Sequence, residues 1–111
     1  MSDLSWVAVA TLSDIPLRGA RRVKTPMGII GLFKTAENLV FAIADQCPHK
    51  QGPLSQGIVH NGCVTCPLHN WVIDLASGEA QGADKGSVQT FPVEVRDDGE
   101  VYLGLRADAH V

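Results

Sequence analysis

The sequence predicts an all-β, antiparallel fold, on three observations. Short β-rich runs recur along the chain, turn residues separate them, and no window sustains a 3.6-residue apolar period for the length of a helix. Composition agrees with a folded chain: 45% of the 111 residues are apolar and 19% charged, enough for a single core and too apolar for disorder.

Four strands are expected first, at residues 6–10, 21–24, 29–34 and 39–44. Thr25-Pro26-Met27-Gly28 joins the second to the third and Thr35-Ala36-Glu37-Asn38 the third to the fourth, so the four should form an N-terminal sheet. Next comes an inserted stretch with short strands near 58–59, 63–65 and 71–74, its turns marked by glycines at 52, 57, 62 and 78. The last two strands, 91–96 and 101–105, flank Asp97-Asp98-Gly99-Glu100, where Asp-Gly offers the positive φ angles of a tight hairpin. That hairpin is expected to return to the first sheet. There is no internal repeat, low-complexity tract or long linker, and residues 1–4 and 106–111 are polar enough to fray. One domain over residues 1–111, with a small subdomain inserted at about 45–75, is the simplest organisation.

Charge and hydropathy narrow the function. The net charge is −3 and no basic stripe is dense enough to follow a phosphate backbone, so nucleic acid is not expected as a partner. Arg18, Arg21, Arg22 and Lys24 do cluster, and read as a solvated strand face. No run approaches the roughly 20 apolar residues that span a bilayer, and Met1 to Trp6 lacks a basic start followed by an apolar run, so no membrane is expected and the cytoplasm is the default location. Three cysteines cannot all pair within one chain, and thiols close to histidines in a reducing compartment suggest a metal.

The metal-ligand pattern is Cys47-Pro48-His49, sixteen residues, then Cys66-Pro67-Leu68-His69. Each loop offers one thiolate and one imidazole, the donor set of a Rieske [2Fe–2S] centre, in which two thiolates hold one iron and two imidazoles the other. Replacing two anionic thiolates by neutral imidazoles raises the reduction potential. From Gln46 to Ile73 there is no Asp or Glu and one basic residue, Lys50, a stretch suited to shielding an inorganic cluster. Pro48 and Pro67 stiffen both loops directly after the cysteines. A tetrahedral zinc takes the same Cys₂His₂ donors, although Cys-x-His is tighter than its usual ligand spacing. Cys63 reads as a buried thiol on the strand leading into the second loop, rather than one half of a redox Cys-x-x-Cys, and Trp71 as a packing side chain. His60 and His110 read as surface histidines.

On these residues the chain resembles the Rieske family, and within it the small subunits of assimilatory NAD(P)H-dependent nitrite reductases. The likeness runs from about Trp6 to Leu105 and is closest at Cys47-Pro48-His49-Lys50-Gln51-Gly52-Pro53-Leu54-Ser55-Gln56-Gly57, Cys66-Pro67-Leu68-His69-Asn70-Trp71, Asp74-Leu75-Ala76-Ser77-Gly78-Glu79 and Val88-Gln89-Thr90-Phe91-Pro92-Val93. It implies a Rieske-type antiparallel β-sandwich with an inserted cluster-binding subdomain. It further implies a [2Fe–2S] cluster on Cys47, His49, Cys66 and His69, and a large partner subunit carrying flavin, a [4Fe–4S] centre and sirohaem. NAD(P)H would supply the electrons that turn nitrite into ammonium, with no complete active site and no catalytic residue on this chain. Stand-alone ferredoxins that serve ring-hydroxylating oxygenases usually carry Gly after the second ligand histidine, where this chain has Asn70. The extra cysteines of the high-potential respiratory type align with Gly52 and Leu68, implying a potential toward the low end of the Rieske range, which starts near about −150 mV. A stand-alone ferredoxin and a zinc-stabilised interaction module are the competing readings. The near-uncharged residues His49, Leu54, Leu68 and His69, with Lys50 at their edge, are expected to face the partner, with the 81–87 loop as the alternative contact.

Overall fold

The computed structural model describes residues 4–26, 28–46, 53–66, 71–81 and 86–106. Its elements in chain order are β1 (Leu4–Thr11), a 3-10 turn (Leu12–Asp14), β2 (Gly19–Thr25), β3 (Gly28–Lys34), β4 (Val40–Ala44), a second 3-10 turn (Leu54–Gln56), β5 (Ile58–His60), β6 (Cys63–Thr65), β7 (Val72–Asp74), β8 (Thr90–Phe91), β9 (Val93–Val95) and β10 (Glu100–Arg106). The fold is all-β and antiparallel, as the alternation of short apolar runs and turns predicts.

Three sheets result, with strand orders β2-β3-β4-β8, β1-β10-β9 and β5-β6-β7. In the first, the middle strands β3 and β4 are covered on both faces from Ile30 onward, because their side chains alternate between two cores, whereas β2 keeps Arg21, Arg22 and Lys24 exposed. Ile30, Leu32, Ala42 and Phe91 point into one core, shared with Val101, Leu103 and Leu105 of β10 and with Ile15. Phe33 and Ile43, on the opposite face, point into the other, shared with Val59, Val64, Ile73, Leu54, Leu75 and Cys66. Even-numbered residues of β3 and β4 thus serve the β-sandwich, and odd-numbered ones the layer made by β5, β6 and β7.

Two sheet assignments depart from the sequence reading. β1 does not join β2; it pairs with β10, from Leu4↔Arg106 to Thr11↔Glu100, with Val9 as the extra residue of a bulge. The bulge lets consecutive residues Val9 and Ala10 both pack on the sandwich core. The run 91–96 is not one strand either. Pro92 cannot donate to a ladder and interrupts it: Phe91 pairs with Ala42 in the central sheet, whereas Val93, Glu94 and Val95 pair with β10 in the outer one. Only β8 returns to the first sheet, and the final hairpin belongs to the second.

That hairpin does turn at Asp97-Asp98-Gly99, with Arg96 N–H donating to the Glu100 carbonyl at 2.9 Å and Gly99 N–H to the Arg96 carbonyl at 2.8 Å. Gly99 alone adopts positive φ there, at 86°, the three-residue loop form rather than the two-residue one that uses two such residues.

Candidate metal centre

The two predicted ligand segments leave and re-enter described structure at well-defined points. The first departs from the end of β4 and returns at Pro53; the second departs at Cys66 and returns at Trp71. Cys47, His49, Lys50, Leu68 and His69 lie outside the described residues, as do residues 82–85 and His110. Cys66 lies inside them.

The second loop is closed by the backbone. β6 and β7 pair through Thr65↔Val72, and one step further Cys66 N–H donates to the Trp71 carbonyl at 2.7 Å, so the ladder continues to the point where the loop begins. Cys66 is fully buried among Val64, Ile73 and Leu54, with Trp71 half-buried against the same core, the packing role expected of that indole.

The first loop is closed by a side chain. Asp45, just past β4, has a carboxylate with no exposed surface that accepts from Ser55 N–H at 2.6 Å and Ser55 O–H at 2.7 Å. Arg22 Nε of β2 meets the same carboxylate at 2.8 Å. The residue's own N–H donates to the Ile29 carbonyl at 3.0 Å. The sequence reading did not single out this group. Its one visible trace is that Asp45 is the last acidic residue before the acid-free stretch 46–73. Arg22, read as part of a solvated face, has its guanidinium end turned onto this buried acid while its side chain stays half exposed.

Both loop bases meet at Gly57. A Cβ there would lie 2.1 Å from the Thr65 carbonyl oxygen and 3.0 Å from Val64 Cγ2, so the chain returning from the first loop presses backbone to backbone on the strand that delivers Cys66. Only glycine permits that approach. Leu54, expected on a docking surface, is instead wholly buried in the core between these bases, one of whose walls it forms. An apolar side chain this close to two converging loops is taken up by packing before it can face a partner.

The outward face of β5, β6 and β7 carries the remaining candidates. His60 opposes Cys63, and Cys63 opposes Asp74. His60 is no bare surface histidine: it is half-buried, and its Nε2 is 2.6 Å from Thr65 Oγ1 on the neighbouring strand. Cys63 is half-buried rather than buried. Burial, and then the negative charge of Asp74, push its thiol above the ordinary value. With Cys63 on the outer face and Cys66 on the inner, the Cys-x-x-Cys spacing spans both sides of a strand, so it is not a dithiol corner. Among the described residues no group of three or more His, Cys, Asp or Glu side chains converges as a metal site.

A family model described as the Rieske-like [2Fe–2S] domain matches residues 5–104. The chain therefore belongs to the Rieske-like [2Fe–2S] domain family, and it is an electron-transfer domain with a Rieske-type [2Fe–2S] cluster as its cofactor. Among curated proteins it is 38% identical to the anthranilate 1,2-dioxygenase ferredoxin subunit of Burkholderia cepacia, over 68% of this chain and 69% of that protein. It is 38% identical to 4beta-methylsterol monooxygenase of Methylococcus capsulatus over 67% of this chain, and 31% identical to nitrite reductase [NAD(P)H] of Emericella nidulans over 94%. The chain spans only 20% and 10% of the length of those last two proteins. A solved structure described as the small subunit of an NADPH nitrite reductase superposes with a TM-score of 0.80 at 28% identity, covering 90% of this chain and 98% of that one.

The described part of the site fits the cluster. A soft sulfur donor lies buried in an apolar core, at the mouth of a loop whose base is fixed by a backbone hydrogen bond, as a thiolate ligand shielded from water requires. Membership of the family removes the zinc reading, which the donor types alone leave open. Among the described residues no helix is long and apolar enough to cross a membrane.

Proposed function

We propose that this chain is the electron-transfer small subunit of an assimilatory nitrite reductase, with its [2Fe–2S] cluster held by Cys47, His49, Cys66 and His69. The whole of it is read as one Rieske domain, with the cluster-binding subdomain at about residues 45–75. The partner is a large cytoplasmic subunit carrying flavin, a [4Fe–4S] centre and sirohaem, on which NAD(P)H-driven reduction of nitrite to ammonium takes place. The observation that carries this reading is the likeness to a solved structure described as a nitrite reductase small subunit, which extends over 90% of this chain and 98% of that one. Asn70, in place of the glycine usual in oxygenase ferredoxins, points the same way.

The cluster supplies one-electron transfer. The chain supplies a thiolate buried at Cys66, a water-poor core of Leu54, Val64 and Ile73 beneath it, and loop bases fixed to two sheets.

A second reading is favoured by one observation: the higher identity, 38%, to a dioxygenase ferredoxin subunit, which makes an oxygenase the alternative acceptor. Separate mixing of the reduced protein with each candidate partner decides between them. Cluster reoxidation and co-purification with a sirohaem protein are expected, together with loss of the Rieske EPR signal in Cys66→Ser. Rapid reoxidation by an oxygenase component alone would transfer the function to the ferredoxin reading.

A further inference from the structure

The buried carboxylate of Asp45 has no part in the reading above, yet it stands two residues before Cys47. Burying a charged group is expensive, and a buried ion pair is rarely the most stabilising choice for a core, since apolar side chains of similar volume do as well or better. The arrangement around Asp45 suits placement of chain. Its carboxylate takes a backbone N–H and a hydroxyl from Ser55 at 2.6 and 2.7 Å and the Arg22 guanidinium at 2.8 Å, and its backbone N–H is tied to Ile29 of the central sheet at 3.0 Å. Hydrogen bonds to a charged acceptor are the strong, geometrically demanding kind. Residues 45 and 55 bracket the first loop, so these contacts hold its two ends together and against β2 and β3 at once. The second loop achieves the same closure through Cys66 N–H and the Trp71 carbonyl.

We propose that Asp45 is a positioning residue for the iron–sulfur site: by clamping Ser55 and Arg22 it fixes the ends of the loop that presents Cys47 and His49. The inference rests on the assignment of those two residues as ligands. It names a role for three side chains, Asp45, Ser55 and Arg22, that touch no iron.

The test compares cluster-loaded wild type with Asp45→Ala, Asp45→Asn, Ser55→Ala and a control core variant from the layer on the other side of the central sheet, Val101→Ala, with the melting midpoint of each measured alongside. The readouts are the EPR g-values of the reduced cluster, its reduction potential, and the rate at which a chelator removes iron. Asp45→Ala is expected to shift the g-values and potential and to speed iron loss at least tenfold, while Val101→Ala leaves the g-values and potential unchanged. Asn can still accept from Ser55 N–H, so Asp45→Asn should restore most of the wild-type signature, and Ser55→Ala should fall between. Wild-type g-values, potential and iron-loss rate in Asp45→Ala would overturn the proposal, as would equal changes in Val101→Ala. If Asp45→Ala does not fold, Ser55→Ala carries the comparison, and an unchanged signature there overturns it equally. Failure of the ligand assignment reads differently: Cys47→Ser and His49→Ala would then keep the full cluster signal whatever the Asp45 variants do.

Discussion

Cys63 stands next to a carboxylate and under partial cover, and both conditions favour its neutral thiol. Because the thiolate is the nucleophile, Cys63 should react with maleimide or iodoacetamide at neutral pH several-fold more slowly than the same thiol in the unfolded chain. The linkage sign follows: the folded value lies above the unfolded one, so the stability this group contributes is complete below the unfolded value and is lost as pH rises through the folded one. Asp74→Asn should speed the alkylation, since Asn can keep the turn contacts to Ser77 while removing the charge. A rate equal to that of the denatured protein, indifferent to Asp74→Asn, would refute this account of the site. At this scale the sequence was legible in part. Cys47, His49, Cys66 and His69 are proposed as ligands on residue type and spacing alone, because ligand chemistry depends on residue identity. The partners of Asp45 could not be read in this way, since a hydrogen bond to Ser55, ten positions away, depends on where the chain returns.

Gly57, which ends the second 3-10 turn, leaves no room for a Cβ against the Thr65 carbonyl of β6. Gly57→Ala must push the two segments apart, and overpacking of this kind costs about 1–3 kcal/mol. Thermal denaturation should show that loss, and the visible absorption of the bound cluster should bleach faster, because Thr65 immediately precedes Cys66. An unchanged melting midpoint would mean that the turn moves freely away from β6. The strands were readable wherever alternation persisted over several residues: Cys63–Thr65 lies where the sequence places it, and β3, predicted at 29–34, spans Gly28–Lys34. Sheet membership was readable for β2, β3 and β4, which short turns join, but not for β1. β1 and β2 are neighbours in sequence, but β1 finds β10 across almost the whole chain, and pairing at that distance leaves no local mark. The break at Pro92 did have a local mark, the missing N–H, and a stricter reading of proline within a strand would have found it.

For the whole molecule, the central sheet is the shared wall of two cores, with Leu32 facing one and Phe33 the other. Damage to the sandwich core should therefore reach the iron–sulfur site through β3 and β4. Leu103→Ala, on the far layer, is expected to cost about 2–5 kcal/mol. The loss of far-UV circular dichroism and the bleaching of the cluster should move together to the same lower temperature, as one cooperative unit requires. Separate midpoints, with the cluster surviving after the sandwich has melted, would show two independent units. The pairing of β1 with β10 has a different consequence. Leu4 and Arg106 are register partners, so the path into the fold and the path out of it run side by side, in the layer on the opposite side of the central sheet from β5, β6 and β7. A unit with adjacent entry and exit can be spliced into a longer polypeptide like a bead on a doubled thread, without threading new chain past its working end. Recurrence of the same sequence pattern as about a tenth of one long redox protein and a fifth of another is what such plumbing permits.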